Sequence, residues 1–493
     1  MVINHIEKLF VTSDAATILN ELQIQHPAAR LLVMAAQMQE KQFGDYTNSV
    51  VIFAADLLQR STDLLRMGMK PVEIADAYDA SFKQLKSVMW KMVVRQATQL
   101  KDLESVKEYL KASIASKQFD QQDLITELVA KACVQTVPRN SANFNVDNIR
   151  VCKILGSGVQ NSRVMNGMVF KRGTEGSVKK VDNARIAVFA CPVDITQTET
   201  KGTILMNTAA DLKSFASTEE AEVEAQIKSL ADAGVNVVVA NGKFGDIYLH
   251  FLNKHNMMAV RLSSKFDLRR LARSLGAQPQ SRICTPSLDL LGQCSHVYLE
   301  EIGDTDVTVF EKDSEHGNIA TIIVRGSSQS RMDDVERAID DAVNTYKALT
   351  KDGRLVAGAG AIDMRLSHHI EDWGMDISGT QQYAIKRYAL ALSGLPRQLA
   401  INSGQEPAIF LSKMISAHLL SNLDHGIDLV NGSVMDAFTN KIYDVYVAKL
   451  SCYRLATEAV STILRVDQII MAKQATGGPI GRNPLPQDDD GMA

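Results

Sequence analysis

One stretch, Glu40 to Ser49 (EKQFGDYTNS), brings together in its last six residues, Gly44-Asp45-Tyr46-Thr47-Asn48-Ser49, the groups that phosphate chemistry needs. A glycine lets the backbone turn sharply and approach a ligand, and a carboxylate such as Asp45 can hold a hard cation. Thr47, Asn48 and Ser49 add hydroxyls, an amide and free N–H groups. The apolar residues Val50, Ala54, Leu57, Leu58, Leu64 and Leu65 follow at helical spacing. The polar tripeptide therefore falls at a helix N-terminus, where unpaired N–H groups and the helix dipole favour an anion. Loop and helix start together read as a seat for phosphate and Mg²⁺. The same residues also describe an ordinary turn with an N-cap, and the hexapeptide alone does not separate the two.

Other candidates lie far away in the chain. Asp14 falls in VTSDAATIL, where it or Ser13 is a plausible N-cap for a helix whose apolar face continues through Ile18, Leu19 and Leu22. Residues 331–349 form an amphipathic helix with Val335, Ala338, Ile339, Ala342, Val343, Tyr346 and Leu349 on one stripe. Asp341 lies off that stripe with Asp334, Arg337 and Asn344, the position of a solvated side chain. Gly358 and Gly360 flank Ala359 and permit close packing of backbone on a flat ligand or on another helix.

The elements that must position these residues are legible in outline. Residues 1 to about 100 are helical after a short strand at IEKLFVT; Pro27 opens one helix, Gly68 stops another and Pro71 starts a third. Met34, Met38, Met67 and Met69 read as core filling. From about 100 to 180, two helices give way to strands around 149–155 and 168–171, separated by GSGVQNS. That turn lacks the lysine and the apolar helix of a phosphate loop and reads as a hairpin or linker. Residues 180–330 alternate strand and helix as an α/β unit. Within it, 201–226 is either an exposed protrusion serving a partner or a plain surface helix. After the Gly358 turn the chain reads as helical to Lys473, and 474–493 has too little apolar surface to fold.

A chain of 493 residues exceeds one core, so two to four domains are expected. Its net charge of -4, with both signs interspersed, gives no basic patch for nucleic acid. No apolar run approaches 18 residues, so no membrane span is expected. Six scattered cysteines without a metal-ligand spacing fit a reducing cytoplasmic location, and the first residues lack the pattern of a secretory signal. No repeat has a fixed period. The order is nested: helical ends enclose a mixed segment, which encloses an α/β insert, and the fold class is multidomain α+β and α/β.

Taken jointly, these motifs resemble the group II chaperonins over essentially the whole chain. VTSDAATIL is similar to the family's TNDGATIL, GDYTN to its GDG(T)(T/N) loop, and IDDAV precedes VAGAGA as the matching segment precedes VPGGGA; LRVDQIIMAK resembles the family's ending. The resemblance implies an equatorial ATPase domain from 1–97 and 356–473. It implies an intermediate domain from 98–165 and 319–355, and an apical domain at 166–318 with a lid protrusion at about 198–222. Asp45 would ligate Mg²⁺, with Gly44, Thr47, Asn48 and Ser49 around the phosphates of ATP. Asp341 would orient the attacking water, with Asp14 as second catalytic carboxylate. Gly358, Ala359 and Gly360 would line the adenine or ribose, and Asp444 would hold the ribose. The implied partners are other chaperonin subunits in a hetero-oligomeric double ring and unfolded cytosolic clients such as actin and tubulin.

Three departures from the family pattern are expected to matter. The first matched residues follow the position of the family's LGPxGxxK phosphate loop. Ala359 replaces the central glycine of the GxG turn, and Tyr46 replaces the second glycine of GDGT. If position 46 needs positive φ, a bulky residue costs about 1–3 kcal/mol there. At about 1.4 kcal/mol per tenfold, that predicts a roughly ten- to hundredfold loss of ATP affinity. The alternative it opens is a ring subunit that contacts clients but binds little ATP.

Overall fold

A computed structural model describes residues 1–4, 7, 9–194, 209–312, 319–420 and 422–470, with the side chains of 209–219 excepted. The first part of the expected protrusion, 198–208, and the tail 474–493 lie outside the described residues. The remainder of the protrusion falls in the helix Ala209–Asp232.

Both ends of the chain build one helical body. The helices Pro27–Phe43, Thr47–Arg66 and Pro71–Met89 pack with Ala361–Met375, Gln381–Leu392 and Tyr446–Leu464 around a shared core. Phe53 stands edge-on to Tyr388 and to Tyr453, each at 5.6 Å between ring centroids, and all three are fully buried. Local chemistry sets the helix ends. Proline occupies the first position after His26 and after Lys70, where its missing N–H costs nothing, and Nδ1 of His26 accepts from the Ala28 N–H at 3.2 Å.

A small antiparallel sheet in the order Tyr443–Val445, Arg354–Ala357, Arg95–Gln96 lies beside this body. A hairpin formed by His425–Asp428 and Ser433–Asp436 follows the helix Pro407–Leu419. These strands correct the expectation of a wholly helical C-terminal region. They are two to four residues long, too short to display a period of two, and the hairpin turn is closed by Asp428 Oδ1 accepting from the N–H groups of Val430 and Asn431.

The middle of the chain forms an eight-stranded mixed sheet. Its order is Ile149–Leu155, Ala320–Gly326, Arg163–Phe170, Thr305–Glu311, Gly292–Ile302, Lys180–Phe189, Val237–Ala240, Met258–Arg261. At one end, Leu103–Ala115, Gln122–Thr136 and Gln329–Lys351 cover a parallel strand pair through Ile125, Val129, Ile322, Val335 and Ile339. At the other, the parallel strands Lys180–Phe189, Val237–Ala240 and Met258–Arg261 are covered on one face by Ala209–Asp232 and Asp246–Lys254, and on the other by Lys265–Leu275. Strands covered on both faces read as continuous apolar runs, as Val237, Val238 and Val239 do. Among the described residues, no helix is long and apolar enough to cross a membrane.

Candidate functional site

The helix Pro27–Phe43 ends at Gly44, whose left-handed backbone (φ 75°) returns its N–H to the Glu40 carbonyl. A Cβ on Gly44 would lie 2.7 Å from Cβ of Asn344, so glycine is required both by conformation and by the approach of the Gln329–Lys351 helix. Tyr46 is the N-cap of Thr47–Arg66 and is also left-handed, at φ 66° and ψ 19°. The expectation of positive φ at this position is met. Tyr46 makes no side-chain cap hydrogen bond, so Thr47, Asn48 and Ser49 form a first turn without one. Asp45 Oδ1 accepts from the Tyr46 N–H at 2.7 Å. Gln39 donates from Nε2 to the Asp45 carbonyl and to the Ala448 carbonyl, each at 3.1 Å, tying the loop to the C-terminal helix.

Asp14 caps the helix Ala15–Glu21, as its sequence context implies. Its Oδ2 accepts from the Thr17 N–H at 3.0 Å and from Thr17 Oγ1 at 2.7 Å. It also receives Nζ of Lys117 at 3.3 Å, and the same ammonium pairs with Asp341. Asp341 is therefore not on a solvated face: it is 8% exposed. Helical periodicity shows only the stripe that Gln329–Lys351 lays on its own sheet, whereas its second face is covered by segments remote in sequence. Burial raises the Asp14 pKa, but the Lys117 charge and the Thr17 hydrogen bonds outweigh it and hold the carboxyl below its ordinary value. Burial and the nearby Asp14 charge push Glu40 up. Burial, with Glu336 adding to it, lifts Asp340 to about 6.

A cleft of about 620 Å³ opens here, lined among others by Asp14, Glu40, Gly44, Asp341 and Asn344. It thus unites residues of the helical body with those of the Gln329–Lys351 helix. Asp45, Thr47, Asn48 and Ser49 belong to the loop and first turn that continue from Gly44.

A second group lies behind Tyr46. The strand Arg354–Ala357 turns through Gly358, Ala359 (φ 54°) and Gly360 (φ 79°) into the helix Ala361–Met375. A Cβ on Gly358 would stand 3.2 Å from Asp444 Oδ1, and one on Gly360 would stand 3.0 Å from Pro396 Cβ. The glycines therefore serve close packing, on Asp444 and on the Gly394–Asn402 helix respectively. Asp444 Oδ2 pairs with Lys449 at 3.3 Å, and Lys449 pairs with Asp363 at 3.0 Å. Tyr453 donates its hydroxyl to Asp363 Oδ1 at 2.5 Å. Burial disfavours the Lys449 ammonium, but the two carboxylates overcome it and hold the lysine well above its ordinary value. Burial lifts Asp444, with Lys449 opposing. Tyr46 joins the two groups: its hydroxyl accepts from the Val445 N–H at 3.2 Å, and Lys449 Nζ lies 5.5 Å from its ring centroid.

Sequence reasoning singled out the loop, the carboxylates and the GxG turn but not Lys117, Lys449, Asp363 and Asn344, which the structure places against them. Only Asp363 carried a local signal, as the acid in the first turn after Gly360. The donor set fits Mg²⁺ brought by a nucleotide. Among the described residues no cluster of three His, Cys, Asp or Glu side chains could hold a metal alone. Mg²⁺ is commonly held by one or two carboxylates plus phosphates and water, and Asp45 at an anion-favouring helix start suits that mode.

The family model described as the TCP-1/cpn60 chaperonin family matches residues 1–474. The chain is 59% identical over 495 aligned positions to T-complex protein 1 subunit theta of Caenorhabditis elegans, covering 100% of this chain and 90% of that relative. It is 49% identical over 481 positions to the Homo sapiens protein of the same name, covering 97% and 87%.

Proposed function

The chain belongs to the TCP-1/cpn60 chaperonin family, and from that premise we propose that it binds and hydrolyses Mg-ATP as one subunit of a cytoplasmic hetero-oligomeric double ring. Hydrolysis closes the chamber over unfolded proteins, with actin and tubulin as clients. The helical body is the equatorial domain, the region around Gln329–Lys351 the intermediate domain, and the α/β end of the large sheet the apical domain.

The observation that carries this reading is the meeting of Asp14 and Asp341 at Lys117, both carboxylates lining a cleft together with Gly44. Bound Mg-ATP supplies a phosphoanhydride whose transfer needs positioning and charge neutralisation rather than covalent help. Asp45 would hold the metal, and the first turn at Thr47, Asn48 and Ser49 would bind phosphate oxygens through its N–H groups. Asp341 accepts a hydrogen bond from the attacking water, with Asp14 as its companion. Lys117, paired with both carboxylates, offsets the repulsion between them. Gly358 to Gly360 and Asp444 hold the nucleoside. Because Asp341 arrives on a helix from outside the helical body, hydrolysis depends on the two bodies closing on each other.

In assembled rings, Asp341→Ala should leave nucleotide binding intact and slow hydrolysis by about 10²–10⁴, the usual contribution of a positioned acid–base group. Loss of binding in a nucleotide titration would refute the role of Asp341. The left-handed backbone of Tyr46 supports a second reading, a client-contacting ring subunit with weak ATP affinity. Photo-crosslinking of a labelled ATP analogue with subunit-resolved readout separates the two: labelling equal to that of neighbouring subunits excludes the second.

A further inference from the structure

We propose that Tyr46 is a positioning residue that locks the strand bearing Asp444 to the Gly44–Tyr46 loop, so that the sugar-binding carboxylate and the phosphate-binding loop move as one body. The nucleotide roles of both parts rest on the reading above.

An aromatic residue at φ 66° occupies a region that L side chains enter at a cost, so contacts of its side chain must hold it there. Those contacts include the strand Tyr443–Val445. Tyr443–Val445 is an edge strand of its three-stranded sheet, and Val445 is 2% exposed. Its N–H points away from the neighbouring strand, and the Leu355 carbonyl on that strand accepts instead from Val94 at 3.0 Å. A buried backbone donor needs a partner, and the Tyr46 hydroxyl supplies it at 3.2 Å. The Tyr46 ring packs on two core clusters, one within the helical body and one holding Tyr443 and Val445.

Asp444 is thereby bracketed. Gly358 leaves room for its Oδ1, Lys449 engages its Oδ2, and the next residue's amide is held by Tyr46. Lys449 also stands over the Tyr46 ring, so a displacement of the loop would disturb both the cation and the amide that fix this carboxylate. A glycine at position 46 would adopt the same backbone freely but would have no side chain to transmit the movement. Tyrosine replaces conformational ease with a mechanical link.

The test compares wild type, Tyr46→Phe and Tyr46→Gly in assembled rings. Phenylalanine keeps the ring and removes the hydroxyl. Without nucleotide, amide hydrogen exchange in a peptide containing Val445 should accelerate at least tenfold in Tyr46→Phe and further in Tyr46→Gly. Unchanged exchange in both variants overturns the lock. The second readout is the ratio of dissociation constants for 2′,3′-dideoxy-ATP and ATP. Wild type should favour ATP, and Tyr46→Phe should reduce that preference severalfold, whereas a merely structural role would weaken both ligands equally. A preserved ratio overturns the positioning of Asp444. A wild-type chain that binds neither ligand overturns the ribose role together with the nucleotide reading, and the exchange result still decides whether Tyr46 holds the strand.

Discussion

Lys449→Met removes the cation from between two carboxylates while keeping most of the side-chain volume. Lys449 is 5% exposed and Asp363 1%, so neither charge is shared with bulk water. Removing one partner of a buried ion pair typically costs about 3–5 kcal/mol, because the other charge stays behind uncompensated. The helical body is of a size for which 1 kcal/mol moves the transition by about 2–4 °C, so calorimetry at pH 7 should show its unfolding fall by roughly 6–20 °C. The pH dependence has a definite sign. In wild type the folded lysine titrates above its ordinary value, so its contribution is complete below the unfolded pKa and is lost only as pH rises through the folded one. In the variant both carboxylates lose their cation; Asp444, already raised by burial and now without the opposing Lys449 charge, rises further, so stability increases as pH falls. The deficit should therefore shrink as pH falls from neutral towards the ordinary carboxylate value of 3.8. Adding Asp363→Asn should recover part of it. A shift below about 2 °C, or a deficit independent of pH, would refute the claim that these charges are buried and interdependent.

Two further substitutions probe the cleft. Gly44→Ala meets both a left-handed backbone and Cβ of Asn344 at 2.7 Å, and should cost about 1–3 kcal/mol while impairing hydrolysis more than nucleotide binding. Combining it with Asn344→Gly should cost less than the sum of the two singles in denaturation measurements; strict additivity would contradict the contact. The lowered pKa of Asp14 stabilises the fold above its unfolded value of 3.8, and this contribution is lost as pH falls through the folded value. Acid unfolding of Asp14→Asn should accordingly have a shallower dependence on pH below 3.8 than wild type, and an unchanged acid limb would contradict the pairing with Lys117.

Features that depend on neighbours along the chain could be read from the residues alone. Pro27 and Pro71 mark helix starts because a first-turn proline loses no hydrogen bond, and the strand Ile149–Leu155 emerges where expected between turn signals. The Gly44 turn, the Asp14 cap and the helical first turn at Thr47 to Ser49 are equally local. Membership of the chaperonin family was legible because several weak motifs occur in one sequence in the family's order, which chance does not readily reproduce.

The environment of each charge, by contrast, was set by contacts remote in sequence. Asp341 reads as solvated from helical spacing, yet it is buried because a face that is polar along its own helix is covered by Lys117 and the segment around Asp14. Lys117 lies 103 positions from Asp14, and nothing near it distinguishes it from a surface lysine. The short strands around Asp444 are held by pairing across the sheet and by Tyr46 rather than by propensity. Periodicity records which residues share a face; it carries no information on what that face will meet, and the energy of a charge is set by what it meets.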